Sequence, residues 1–189
     1  LVITEPMPSM PLRFWGDPDG ERYRSAYFEP WPGVWRHGDW MEVTERGTCV
    51  ITGRSDSTLN RGGVRMGTAD IYAAVESVPE VLDCVVLGVE QSDGGYWMPL
   101  FVQLAPGVPL TDELVARLRA VVREQASPRH VPDEILAVPA VPHTRTGKRL
   151  EVPLKRLFQG VDPATAVNVG TVDDPAAVEH YVALARERA

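Results

Sequence analysis

The sequence predicts an α+β protein: a three-stranded sheet with helices and a β-hairpin, preceded by a β-rich stretch and followed by a helical tail. Three observations carry this. Residues 1–54 are dense in Pro, Trp and Gly and keep no 3.6-residue period, as in TEPMPSMPLRFWGDPDGERY and YFEPWPGVWRHGDW. Residues 66–159 alternate apolar strand-like runs with apolar stripes at helical spacing. The tail ends in one helical pattern that starts near Asp173 or Asp174, with Pro175 in its first turn.

The elements follow in order. MEVTERGTCVITGR reads as a hairpin, with strands 40–44 and 48–52 around a turn at Glu45–Gly47. SDSTLNRGGVR, residues 55–65, is polar with paired glycines, a loop or a tight hairpin. GTADIYAAVESV places Ile71, Ala74, Val75 and Val78 along one helical stripe, with Thr68 as the expected N-cap. VLDCVVLGVE is a near-continuous β-branched run, hence a buried strand, and YWMPLFVQLA is a second one. Thr111 and Asp112 open a helix through about Glu124, with Leu114, Leu118, Val121 and Val122 on one face. DEILAVPAV is a third short strand, HTRTGKR a basic turn, and EVPLKRLFQ a short helix. Strand, strand, helix, strand makes a small α+β domain.

Composition narrows the function. The chain of 189 residues is 44% hydrophobic and 24% charged, ordinary for a globular protein. A net charge of −7 argues against nonspecific nucleic-acid binding and against a polybasic membrane patch. No apolar run approaches the roughly 18 residues of a membrane span. Cys49 and Cys84 sit in apolar runs with neither metal nor redox spacing, so both are expected buried and reduced in a cytoplasmic protein. His130, His143 and His180 lack ligand spacing, no metal site is expected, and Trp15, Trp31, Trp35, Trp40 and Trp97 are expected to pack in cores or between domains. The chain opens at Leu1 inside a strand-like run and reads as part of a longer protein.

Four local patterns can carry chemistry, and each alone has a plainer reading. In HGDW, Gly38 lets a turn present the Asp39 carboxylate, which can accept from two ribose hydroxyls; a turn aspartate does the same without a ligand. In TGRSD, Arg54 offers a planar fork and Asp56 stands where the texture changes; a surface ion pair is the alternative. In NRGGVR, Gly62 and Gly63 allow close backbone approach and Arg65 can reach an anion; a plain hairpin turn is the alternative. In TRTGK, Lys148 is a point charge on a glycine-containing turn, a solvated basic turn being the alternative; no Walker A pattern is present because Arg149 follows it.

Taken in order, HGDW, TGRSD, NRGGVRMGTADIY and VPHTRTGKRLEVPLKRL resemble the end of the adenylate-forming superfamily, over residues 1–160. That family includes acyl-CoA synthetases, adenylation domains of peptide synthetases, and luciferases. The resemblance implies residues 1–55 as the end of a large N-terminal domain, 56–160 as a mobile C-terminal lid, and 161–189 as a helical extension. It implies ATP and CoA as substrates, with Mg2+ held mainly by the N-terminal domain. It implies a carboxylate activated as an acyl-adenylate and then passed to the CoA thiol. Residue by residue it implies Lys148 as the adenylation lysine, and Asp39, Arg54 and Arg65 near the nucleotide. Asp56 would be the hinge, and Gly62, Gly63 and Arg123 would lie along CoA. Lys148 would also be an acetylation target. The rest of the N-terminal domain would be a necessary partner: the phosphate-gripping loop and acyl pocket are not in this sequence, and residues 1–54 are expected not to fold alone. RTGKRLEVPLKRLFQG followed by DDPAAVEHYVAL, with SPRHVPDEILAVPAVPHT, is most similar to the acetoacetyl-CoA synthetase branch, which implies acetoacetate. A synthetase for acetate or propionate, an adenylation domain loading a carrier protein, and a freestanding binding domain stay open.

Overall fold

A computed structural model describes residues 1–188, with Thr52 described by its backbone alone. The chain divides into two units, Leu1–Asp56 and Ser57–Ala189.

In the first unit, β1 (Val2–Ile3) precedes a helix that the sequence pattern did not reveal, α1 (Glu21–Tyr27). The carboxylate of Asp17 accepts from the backbone N–H groups of Arg22 at 3.2 Å and Tyr23 at 2.9 Å, which satisfies the first turn. Tyr23 and Tyr27, four residues apart, then share a face. Tyr27 stacks on Trp35 at 3.7 Å between centroids, and Phe14 and Phe28 close edge-on around the pair. Trp35 belongs to β2 (Trp35–Arg36), antiparallel to β1. The hairpin follows as β3 (Asp39–Val43) and β4 (Cys49–Arg54), with a register shift at Trp40–Met41. Residues 42, 43 and 45–51 of it are exposed, so Cys49 is exposed rather than buried as expected. A two-stranded ribbon with neither of its faces covered cannot bury alternate residues. Trp15, Trp31 and Trp40 are exposed too, against the expectation of packing, while Trp35 and Trp97 are buried.

The second unit begins with the tight hairpin β5 (Leu59–Arg61) and β6 (Val64–Met66). Its two-residue turn is Gly62-Gly63, with φ of 59° and 80°. Both angles lie in the left-handed region, where the right-handed twist of a two-residue hairpin places them. α2 (Thr68–Glu76) comes next. Its N-cap is Gly67, in extended conformation; Thr68, expected as the cap, is the first helical residue, is buried, and makes no capping bond.

Each of the two long apolar runs breaks in two. β7 (Val81–Val86) and β10 (Pro99–Leu104) stay in the main sheet. β8 (Val89–Glu90) and β9 (Tyr96–Trp97) leave it to pair with each other. The break falls at Gly88, where a Cβ would lie 2.8 Å from the Tyr96 ring and 3.0 Å from Leu59, a closeness only glycine permits. α3 (Asp112–Gln125) is capped by Thr111, whose Oγ1 accepts from Leu114 N–H at 3.2 Å. β11 (Glu134–Val138) completes the sheet in the order β11-β10-β7, with β10 parallel to β11 and antiparallel to β7. α4 (Glu151–Phe158), the short α5 (Pro163–Ala166) and α6 (Pro175–Arg188) follow. Asp174 caps α6, accepting from Ala176 and Ala177 N–H at 3.0 and 3.2 Å.

Both faces of the sheet are covered. Cys84, Val86, Leu100, Val102 and Ile135 pack with Ile71, Val75, Leu118 and Val122 from α2 and α3. Val85 and Phe101, pointing the other way, pack with Leu154 and Leu157 of α4 and with Val167, Val172, Val178 and Tyr181 of the tail. The tail therefore supplies part of this unit's core. Phe101 meets Phe158 at 5.4 Å and Tyr181 at 5.0 Å, and the Arg188 guanidinium lies 3.9 Å over the Trp97 ring.

Candidate functional site

Three clusters take up the residues singled out above. In the first unit, register places Asp39 opposite Arg54 across the β3–β4 ribbon. Arg54 donates through Nε to one Asp56 oxygen at 3.0 Å and through a terminal nitrogen to the other at 2.8 Å. Another of its nitrogens is 3.6 Å from the Asp39 carboxylate, which also meets His37 Nδ1 at 2.7 Å. Gly38, with φ of 92°, makes room for this: a Cβ there would lie 3.2 Å from the guanidinium. Burial opposes ionisation of Asp56, but the hydrogen bonds and charge of Arg54 prevail and hold its carboxyl below the usual value. Asp39, Arg54 and Asp56 thus form one chain of ion pairs, and Asp56 ends the first unit.

The second cluster is the Lys148 turn. Its local structure is a small ladder: His143 bridges Arg149, Thr144 N–H donates to Lys148 carbonyl at 2.7 Å, and Gly147 N–H donates to Thr144 carbonyl at 2.8 Å. Lys148 N–H donates to Thr144 Oγ1 at 3.1 Å. The Lys148 side chain is exposed. Its neighbour Arg149 turns inward and anchors the turn. Arg149 Nε donates to Cys84 carbonyl at 2.7 Å, a terminal nitrogen meets Asp83 at 3.0 Å and Glu76, and the guanidinium covers the Tyr72 ring at 4.2 Å. Tyr72 in turn donates to Glu151 just beyond the turn. Burial first, and then the charge of Glu151, push the Tyr72 hydroxyl well above its ordinary range, so it stays a donor. Beside this network, burial pushes the Cys84 thiol up to about 12.

The third cluster is a groove of about 610 Å³ lined by Arg61, Gly62, Arg119, Arg123, Arg129 and Asp133, among others. Its lining holds four arginines and one aspartate. Arg61 pairs with Asp133 and donates to Val131 carbonyl at 2.7 Å, and Arg119 donates to Asp133 carbonyl at 2.8 Å. These bonds orient the arginines without neutralising the excess positive charge. Gly62 and Arg123 therefore meet in one basic groove. Gly63 stands beside Gly62 at the hairpin tip, and Arg65 is exposed on β6 opposite Asn60. Arg61, Arg119 and Arg129 were not singled out from sequence. Arg119 and Arg123, four apart on α3, were the readable part of that signal. Among the described residues, no group of three or more His, Cys, Asp or Glu could hold a metal ion.

The groove and the Lys148 turn occupy different corners of one sheet. Arg149 ties the turn to Asp83 and Cys84 on β7, the edge strand. The groove lies at Val131–Asp133, just before β11, the opposite edge.

Residues 70–148 match the family of AMP-binding enzyme C-terminal domains. The chain is 48% identical over 160 residues to an acetoacetyl-coenzyme A synthetase of Rhizobium meliloti, covering 85% of this chain and 24% of that protein. It is 41% identical over 184 residues to an acetoacetyl-CoA synthetase of Caenorhabditis elegans, covering 96% and 26%. Among solved structures, acetoacetyl-CoA synthetase from Streptomyces lividans superposes with a TM-score of 0.91 at 58% identity, covering all of this chain and 28% of that one. The chain spans about a quarter of the length of the curated relatives it matches. A small mixed α/β stretch that ends on the Lys148 turn, residues 70–148, thus carries the AMP-binding enzyme C-terminal domain.

Proposed function

We propose that this chain is the C-terminal part of an AMP-forming acid–thiol ligase that makes acetoacetyl-CoA from acetoacetate, ATP and CoA. The observation that carries the reading is the pairing, in one small unit, of an exposed lysine on an anchored turn with an arginine-lined groove at the opposite sheet edge. Each suits a different half-reaction. In the first, a carboxylate oxygen attacks the α-phosphorus of ATP, the bond to the β-phosphate oxygen breaks, and diphosphate leaves with the bonding pair. The Lys148 ammonium would stabilise charge gathering on those oxygens, an effect worth about 100- to 1000-fold in rate for a well-placed donor. In the second, the CoA thiol gives up its proton, sulfur attacks the acyl carbon, and AMP leaves. That step needs a basic track for the phosphates of CoA, and the groove supplies one beside the Gly62-Gly63 tip.

Asp39 and Arg54 are proposed to hold the ribose hydroxyls, Arg65 to lie near the nucleotide phosphates, and Asp56 to be the hinge. Gly62, Gly63 and Arg123 are proposed to line CoA. The described residues do not fit a site for Mg2+; the ion would accompany ATP on the rest of the N-terminal domain, the partner this unit needs. The acetoacetate assignment is supported by relatives at 48% and 41% identity that carry that name. A cytoplasmic location goes with it, supported by two free cysteines; no helix among the described residues is long and apolar enough to cross a membrane.

The test uses the complete enzyme with acetoacetate, acetate, propionate and butyrate, alongside Lys148→Ala. Preference for acetoacetate is expected, with adenylation lost in the variant and thiolation of pre-made acyl-adenylate retained. Preference for acetate or propionate would keep the mechanism and change the substrate. Full adenylation by Lys148→Ala would remove the lysine from its role.

A further inference from the structure

The Lys148 turn has a second neighbour besides Arg149. On the side of His143–Arg145 away from Arg149, the tail runs alongside as a short strap. Arg145 N–H donates to Thr171 carbonyl at 3.0 Å, and Asp173 N–H donates to His143 carbonyl at 3.0 Å. Thr144 and Val172 form an antiparallel bridge between them. His143 N–H donates to the Asp173 carboxylate at 2.9 Å, and Asp174 N–H donates to the same oxygen at 2.7 Å. Residues 143–145 are therefore the middle line of a three-line miniature ladder, with 148–149 on one side and 171–173 on the other.

The strap is itself anchored. Val172 is buried in the layer that holds Leu150 and Leu154, which follow Lys148 in the chain. The turn before it, Val169–Thr171, is capped by Asn168, whose Oδ1 accepts from Gly170 N–H at 3.2 Å. Thr144 is the common member of both sides: it meets Val172 on one, and on the other it bonds both the N–H and the carbonyl of Lys148. A displacement of the strap therefore reaches the lysine backbone through one residue.

We propose that Thr171–Asp173 positions Lys148, with Asp173 as the positioning residue, so that the tail governs the adenylating half-reaction and leaves thioester formation alone. The proposal rests on the reading of Lys148 as the adenylation lysine. Its selectivity comes from placement: the strap's hydrogen bonds run to His143 and Arg145, whereas the groove is built on the β5–β6 hairpin, α3 and the approach to β11. Catalytic rate is steep in position, since a misplacement of about 1 Å can cost about 100-fold.

The experiment is made on the complete enzyme with Asp173→Ala, Asp173→Asn and Lys148→Ala. Adenylation is followed by acetoacetate-dependent exchange of labelled diphosphate into ATP, and thiolation by single turnover of pre-made acyl-adenylate with CoA. Asp173→Ala should lower the adenylation rate about 10- to 100-fold with the KM for ATP unchanged and thiolation at the wild-type rate. Asp173→Asn keeps the accepting oxygen and should restore most of the loss. Amide hydrogen exchange at 143–145 should quicken in Asp173→Ala and return in Asp173→Asn. Full adenylation by Asp173→Ala while Lys148→Ala is inactive would overturn the strap. Equal loss of both half-reactions would reduce Asp173 to general stability and overturn it too. Normal adenylation by Lys148→Ala would instead sink the underlying reading, and the exchange data would still report whether the strap holds the turn.

Discussion

Tyr181 offers a quantitative check on the claim that the tail belongs to the core of the second unit. Its ring is fully buried, 5.0 Å from Phe101 and inside the layer that holds Leu150 and Leu154. Its hydroxyl is buried and has no hydrogen-bond partner among the described residues, and burial drives its ionisation far above the ordinary range. Two effects therefore oppose each other in Tyr181→Ala. Loss of a large buried aromatic costs about 3–5 kcal/mol. Relief of an unpaired buried hydroxyl returns about 1 kcal/mol or somewhat more. The net expectation is a loss of about 3 kcal/mol. Tyr181→Phe isolates the second effect and should stabilise by about 1 kcal/mol, which raises Tm by roughly 3 °C for a unit of this size. Urea unfolding of the chain, followed by circular dichroism, gives both numbers. A loss under about 1 kcal/mol for Tyr181→Ala would mean that the tail lies on the unit without completing its core. A loss for Tyr181→Phe would mean that the hydroxyl is satisfied, and the bookkeeping would have to be reversed.

Three further outcomes are expected. Gly62→Ala should cost roughly 1–2 kcal/mol of hairpin stability, because φ is 59° there. A Cβ at 62 meets nothing within 4 Å, so Gly62→Asn, which tolerates the left-handed region, should recover much of the cost; equal loss in thermal melts of both variants would point to a steric cause. Removing Arg119 and Arg129 together should raise the KM for CoA and flatten its dependence on salt without changing adenylation, as measured by steady-state kinetics at increasing NaCl; an unchanged salt slope would dissociate the groove from phosphate binding. Thiol labelling of the native chain under mildly alkaline conditions should modify Cys49 and spare Cys84, whose thiol is buried with a pKa of about 12; labelling of two thiols before denaturation would contradict the packing of β7 against α2.

What could be read from sequence is what is local. The Lys148 turn was readable because Gly147, the flanking threonines and Lys148 lie within a few residues and make their bonds to one another. The Gly62-Gly63 hairpin was readable for the same reason. The basic groove was not, because Arg61, Arg119, Arg123 and Arg129 come from a hairpin, a helix and a short turn that only the folded chain brings together. α1 was hidden by the glycines and prolines around it, although Asp17 and the Tyr23–Tyr27 spacing carried its signal. Cys49 was misread because alternation in TCVIT promises a buried face only when something covers the ribbon. α5 was missed although Asp162 followed by Pro163 is a sound start: the Asp162 carboxylate accepts from Ala164 N–H at 3.0 Å. The contribution of the tail to the core was half-visible in β7, where adjacent Cys84 and Val85 are both apolar. A strand apolar on both faces needs a cover on each side, and α2 and α3 can supply only one.

The position of the two functional features on one sheet bears on how the unit works. The Lys148 turn is tied to β7 through Arg149, and the groove opens before β11, with β10 between them. Three hydrogen-bonded strands packed on both faces form a stiff plate, since interiors are packed as densely as organic crystals and resist bending. Local loop motion therefore cannot exchange one corner for the other. On the proposed reading, the α-phosphorus attacked in the first step and the acyl carbon attacked in the second are joined through a single oxygen in the acyl-adenylate. To serve both, the plate has to present each corner in turn. The residue that ends that unit, Asp56, is held by both oxygens to Arg54, and Arg54 also faces Asp39. Asp39, proposed to hold the ribose, and Asp56, proposed as the hinge, thus share one guanidinium, that of Arg54.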